Sequence, residues 1–186
     1  MTVTAKKKLT FEEYLTYDDG TNNRYEFRDG ALIEMPPATG LHNRIIMFLA
    51  FYLQTEIYRC NYNYCVRANS TEVFIENKTR RPDICILTKA QDKELEGKPD
   101  ILFEPCPLAI EIVSPSSRHD DFVEKRKEYS SFGIPEYWIV DLKLRSLSVL
   151  TQIDGDYVEK VYKGKDSIIS PTFPTIELTM QVLLEA

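Results

Sequence analysis

Two short stretches decide how this chain is read: P-D-I-C-I-L-T at 82–88 and L-A-I-E-I-V-S-P at 108–115. Both are apolar runs of strand length, and a proline adjoins each. Each also carries a carboxylate. Asp83 opens the first run, and Glu111 lies inside the second between Ile110 and Ile112. An acid inside a core strand is costly to bury without a partner. A metal ion held between two such groups removes that cost. Mg²⁺ and Mn²⁺ prefer hard oxygen ligands, one or two carboxylates with water and phosphate completing the shell. The loop between the runs is long enough to return the chain as a neighbouring strand, with both acids at one end of a sheet. Taken singly, each acid also has a structural reading: Asp83 caps a strand start, and Glu111 meets a buried arginine such as Arg80 or Arg81.

The sequence after Glu111 supplies a cation. Pro115 blocks regular continuation of the strand, and Ser114, Ser116 and Ser117 shape a turn and cap the next helix. Residues 120–132 read as an amphipathic helix, with Phe122, Lys125, Tyr129 and Phe132 at three-four spacing, stopped at Gly133. Lys125 on that helix has two readings: a solvated lysine on a polar face, or a cation that offsets charge at a metal-activated phosphate. Tyr129, one turn on, either shares that face and positions substrate or packs against the sheet.

Further out, T-F-E-E at 10–13 is a capping-box pattern for a short helix. Two alternating runs flank Asp29-Gly30, which predicts a hairpin over 24–35. The three-four spacing of Ile45, Leu49, Leu53 and Ile57 predicts a long helix over 41–59. N-Y-C-V-R-A and S-T-E-V-F-I-E-N read as strands before 82–88, with N-K-T-R-R at 77–81 as a polar turn. Residues 89–107 read as a loop with at most one helical turn. E-Y-W-I-V-D at 136–141 is a buried strand, and Asp154-Gly155 marks a second hairpin. The tail breaks at a proline and ends in a short helix. A mixed sheet flanked by helices, in one domain over 1–186 with residues 1–9 flexible, is the economical architecture.

Composition narrows the class. Hydrophobic residues make up 43%, which argues against a disordered chain. A net charge of −6 argues against coating nucleic acid by charge alone, though an enzyme can still meet it locally. Cys60, Cys65, Cys85 and Cys106 contain no C-x-x-C pair, and His42 and His119 are the only histidines. Neither a zinc site nor a disulfide framework is expected; reduced thiols are. The N-terminal lysines precede no apolar run, and no run approaches membrane length, so a cytoplasmic protein without a membrane partner is expected.

Several stretches together carry a family resemblance: P-D at 82–83, I-E-I-V-S-P-S-S at 110–117, E-K-R-K-E-Y at 124–129 and G-I-P-E-Y-W-I-V-D at 133–141. Y-E-F-R-D-G-A-L-I-E-M at 25–35 and G-L-H-N-R-I at 40–45 add to them. In this order they resemble the Uma-type family of restriction-endonuclease-like proteins, over roughly residues 10–180. The resemblance implies the PD-(D/E)xK nuclease fold: an α/β domain with a central mixed sheet, helices on each side and, here, an N-terminal β-hairpin. It implies Mg²⁺ (or Mn²⁺) on Asp83 and Glu111, with a lysine two residues after the glutamate. That position is Val113, so the lysine role passes to Lys125. Glu26 and His42 match the family as well. Glu26 is either a further ligand or water-orienting group or a cross-strand partner of Arg24 or Arg28. His42 is either a general base or phosphate contact or a helix N-terminal hydrogen-bonder.

The function expected from these residues is a metal-dependent endonuclease hydrolysing DNA phosphodiesters, and a homodimer fits the way such enzymes cut both strands. Two alternatives stay open. Val113 suits a non-catalytic module that binds nucleic acid or protein, and a carboxylate pair also suits a metal-independent glycoside hydrolase.

Overall fold

The computed structural model describes residues 8–186. The expectation of a flexible start therefore lies outside the described residues up to position 7. At the end of that span the Leu9 backbone N–H bonds the Gly30 carbonyl at 2.9 Å.

The chain runs through α1 (Phe11–Leu15), the hairpin β1 (Arg24–Arg28) and β2 (Ala31–Met35), and the long helix α2 (Gly40–Cys60). Strands β3 (Tyr64–Ala68), β4 (Glu72–Ile75), β5 (Lys78–Arg80) and β6 (Ile84–Thr88) come next. After α3 (Lys89–Glu94) come β7 (Ile101–Leu102) and β8 (Leu108–Ile112). A π-helical turn (Asp120–Glu124) then leads into α4 (Lys125–Phe132), the strands β9 (Glu136–Asp141), β10 (Ser146–Ile153) and β11 (Asp156–Lys163), and α5 (Met180–Glu185). Among the described residues these strands form two sheets. The six-stranded sheet has the order β11-β10-β9-β8-β6-β3, and the five-stranded sheet β2-β1-β5-β4-β7. The larger sheet is mixed, because β8 runs parallel to β9 and antiparallel to β6.

Both faces of the larger sheet are covered, which is why its central strands read as continuous apolar runs. Helix α2 lays Ile45, Ile46, Leu49, Leu53 and Ile57 on one face, against Ile84, Ile86, Ile110 and Ile112. Each of those side chains is buried, and each burial contributes about 1.5–3 kcal/mol. The opposite face packs Cys85, Ala109, Tyr137 and Ile139 against Tyr129 of α4 and against Val73 and Ile75 of the smaller sheet. The cysteines are free, with Cys85 and Cys106 buried. No helix among the described residues is long and apolar enough to cross a membrane.

Three segments differ from the sequence reading. The expected polar turn at 77–81 is strand β5, and the reversal itself falls on Glu76 and Asn77, both at positive φ. Lys78–Arg80 sustain a strand because their polar groups are engaged: the Thr79 hydroxyl accepts from the Phe27 N–H at 2.9 Å, and acidic side chains surround Arg80. The expected loop at 89–107 contains α3, closed by a capping box on Thr88, and the short strand β7 beside β4. The helix expected over 120–132 opens with a π turn over Asp120–Glu124, within which Asp121 is buried.

Candidate active site

Ile84 pairs with Ile110 in the antiparallel β6–β8 ladder. The next pair outward is therefore Asp83 with Glu111, and residues opposite each other in such a ladder point to the same face. The ladder places the two acids together at one end of the sheet. Asp83 is locked by its Oδ2, which accepts from the Ile112 N–H at 2.7 Å and lies 3.1 Å from His42 Nε2. Glu111 is 3% exposed and is locked by its Oε1. Lys125 Nζ lies 2.8 Å from that oxygen, and the Tyr129 hydroxyl donates to it at 2.9 Å. One oxygen of each carboxylate is thus anchored by protein donors. Asp83 Oδ1 and Glu111 Oε2 take no hydrogen bond from the described residues.

Neither Arg80 nor Arg81 pairs with Glu111, so that structural alternative is not what the fold adopts. Arg80 bonds Glu26, Asp120 and Glu128, and Arg81 bonds Glu72.

A third carboxylate joins the cluster. Asp121, on the π turn, is 1% exposed and places Oδ1 3.2 Å from Lys125 Nζ. Sequence reading passed over it. Its signal was the i, i+4 spacing to Lys125, which puts an acid and the lysine on one helical face. Burial pushes the Glu111 pKa well above the ordinary glutamate value, and the charges of Asp83 and Asp121 add to the push that Lys125 opposes. Asp121 is raised for the same reasons, burial first. Lys125 loses by burial but gains more from Glu111, Asp121 and Glu26, and its pKa is held above the ordinary lysine value. The lysine therefore stays an ammonium among competing carboxylates.

His42 sits in the first turn of α2, with its backbone N–H on the Thr39 hydroxyl at 3.2 Å. Its Nε2 lies 3.0 Å from the Ile112 carbonyl as well as against Asp83, while Nδ1 is buried without a partner. Burial works against the charged ring, yet the bond to Asp83 and that residue's charge hold its pKa above the ordinary histidine value. The helix start thus uses the His42 backbone, while its ring faces the Asp83 carboxylate. Glu26 is gripped by Arg28 at 2.8 Å, by Arg80 at 3.3 Å and by the Arg81 N–H at 3.2 Å. Arg24 instead bonds the Asn69 carbonyl. Tyr129 is fully buried and reaches Glu111, so it can act on a substrate only through that acid. Val113 packs against the core beneath the smaller sheet.

Among the described residues, no three His, Cys, Asp or Glu side chains are arranged to hold a metal ion by themselves. What the strand ends supply is two carboxylates, each with one oxygen free of hydrogen bonds from the described residues, with the Ile112 carbonyl on the same His42 nitrogen as Asp83. This hard, sparse oxygen set fits a cation that keeps part of its water shell, as Mg²⁺ does. The charge also fits, because Glu111 and Asp121 share one ammonium while the charge of Asp83 acts on both acids.

A mixed sheet covered on both faces, with paired acids at one end, defines a protein of the restriction-endonuclease-like fold. The family model described as "Uma2: Putative restriction endonuclease" matches residues 11–181, and the chain belongs to that family. Its fold is also that of the crystal structure of "a putative nuclease belonging to DUF820" from Anabaena variabilis ATCC 29413. The TM-score is 0.78 at 17% identity, over 95% of this chain and 98% of that one. No curated protein matches the chain by sequence.

Proposed function

We propose that this protein is a cytoplasmic, divalent-metal-dependent endonuclease that hydrolyses phosphodiester bonds of DNA. The observation that carries the proposal is the β6–β8 register, whose last pair Ile84–Ile110 puts Asp83 and Glu111 next in line at one end of the ladder, with the Lys125 ammonium 2.8 Å from Glu111. Membership of a family described as a restriction endonuclease supports it.

Asp83 and Glu111 would hold Mg²⁺ or Mn²⁺ through their unanchored oxygens. Such an ion supplies Lewis-acid stabilisation of the charge that develops on the phosphoryl group. The remaining work belongs to the chain's own residues. Tyr129 and Lys125 fix the rotamer of Glu111, and the Ile112 N–H and His42 fix that of Asp83. Lys125 keeps a positive charge at the reaction centre, where it offsets the negative charge of the pentavalent transition state and steadies the attacking water. Glu26 backs this arrangement from the arginine network as a source of negative charge near Lys125. Its carboxylate is too fully engaged to be a first choice of ligand.

Cleavage of supercoiled plasmid and of single-stranded DNA in Mn²⁺ tests the proposal. Wild-type protein should cut, and Asp83→Ala, Glu111→Ala and Lys125→Ala should each lose activity. Mn²⁺ binding in the millimolar range should vanish in Asp83→Ala. Cutting by Glu111→Ala at the wild-type rate would end the mechanism. DNA binding without cleavage would favour the non-catalytic module, and hydrolysis that survives EDTA would favour the metal-independent hydrolase.

A further inference from the structure

We propose that Asp121 is the positioning residue for Lys125, a second anchor that fixes the ammonium at the site. The function of that anchoring rests on the nuclease reading above, but the tether itself is a matter of geometry. Lysine is a point charge on a flexible four-carbon stem, so one contact leaves its head free to swing. Here two carboxylates hold it, Glu111 Oε1 at 2.8 Å and Asp121 Oδ1 at 3.2 Å. These occupy two of the three donors of the ammonium and leave the third for a phosphoryl oxygen or a water.

Asp121 is itself immobilised. The Ser117 hydroxyl donates to its Oδ2 at 2.6 Å, and the Tyr137 hydroxyl donates to its carbonyl at 3.0 Å. Its Oδ1 is buried and accepts no hydrogen bond of good geometry, so the ammonium is the partner the arrangement provides. Burying a carboxylate this deeply does not favour stability. The π turn supplies the backbone device. Its neighbouring acids diverge: Asp120 turns to Arg80 at 3.0 Å and Arg28 at 3.3 Å, while Asp121 turns inward to Lys125. Single π turns of this kind recur where a helix must aim side chains at a functional site. The chain Ser117–Asp121–Lys125–Glu111 thus connects the serine turn after β8 back to the acid on β8.

The test pairs a direct view of the ammonium with catalysis, in full-length protein. In metal-free, [15Nζ]lysine-labelled protein, Lys125 should give a protected ammonium cross-peak at neutral pH, assigned by its loss in Lys125→Arg. Asp121→Asn, which keeps the size and the Ser117 contact, should broaden that peak away and slow Mn²⁺-dependent DNA cleavage about 10–100-fold, the usual cost of removing an orienting partner. Mn²⁺ affinity by calorimetry should stay at the wild-type level, and Asp121→Glu should recover part of the rate. Ser117→Ala should weaken the peak and the rate in the same direction, and it serves as the test if Asp121→Asn does not fold. Retention of the peak together with wild-type cleavage in Asp121→Asn would overturn the proposal. So would a large loss of Mn²⁺ affinity, which would make Asp121 a ligand instead. If wild-type protein neither binds Mn²⁺ nor cuts DNA, the nuclease reading fails, and the cross-peak alone decides the tether.

Discussion

Replacing Arg80 with methionine should cost this protein a large part of its stability at neutral pH, and acid should return some of it. Arg80 is 2% exposed, and its guanidinium bonds Glu128 at 2.5 Å, Asp120 at 3.0 Å and Glu26 at 3.3 Å. Methionine keeps the apolar stem but strands Glu26 and Glu128, both largely buried. Removing one partner of a buried pair costs about 3–5 kcal/mol. Glu26 keeps Arg28, and Glu128 keeps Lys78 at 3.3 Å, which points to the lower end of that range. A loss of about 3 kcal/mol from a total of about 5–15 kcal/mol should lower Tm by roughly 6–12 °C for a chain of this size. The pH dependence has a definite sign. Burial opposes the Glu26 charge, but Lys125 and Arg80 outweigh it and hold its pKa below the ordinary glutamate value. Wild-type protein therefore has this contribution above about pH 4.3 and loses it as pH falls through the depressed folded value. In Arg80→Met the stranded Glu26 carboxylate gains by protonation over the same descent. The gap between the two proteins should be widest near pH 8 and narrow below pH ~5. Urea unfolding followed by circular dichroism at both pH values measures it. A variant within about 1 kcal/mol of wild type at pH 8, or a gap unchanged in acid, would refute the argument.

Two further outcomes rest on the same electrostatics. Glu111→Gln should abolish Mn²⁺-dependent cleavage, because it removes the charge of one of the two carboxylates that would hold the ion and the nearer partner of the buried Lys125 ammonium; plasmid cleavage reads the effect. Glu56 is held below the ordinary glutamate value, chiefly by its bond to Arg59, and accepts from the Thr175 hydroxyl at 3.0 Å. Its contribution is present above about pH 4.3 and lost as pH falls through the folded value, so hydrogen-exchange protection factors around residue 175 should fall in acid before those of the sheet do.

Much of this molecule was legible along the chain. The runs at 82–88 and 108–112, the two hairpins and the helix over 41–59 were readable because each signal is local: side-chain period, turn chemistry and capping. The acids at 83 and 111 stood out because a charge inside an apolar run violates the pattern around it. Strand β5 was not readable, since Lys78-Thr79-Arg80 has turn-like composition and becomes a strand only when acids from β1, the π turn and α4 neutralise Arg80. Asp121 was hidden for a related reason. Only its i, i+4 spacing to Lys125 set it apart from Asp120, and the contacts that bury it while Asp120 meets the arginines come from tertiary packing.

The sequence by itself determined that strands, helices and two isolated carboxylates exist, because local backbone preference and the cost of a misplaced charge depend only on neighbouring residues. Tertiary structure alone decided which groups meet. The β6–β8 register set Asp83 opposite Glu111, the packing of α4 delivered Lys125 and Tyr129 to one oxygen of Glu111, and the fold diverted Glu26 to the arginines. Such meetings rest on contacts between residues far apart in the chain, whose energies exist only once the chain has closed on itself.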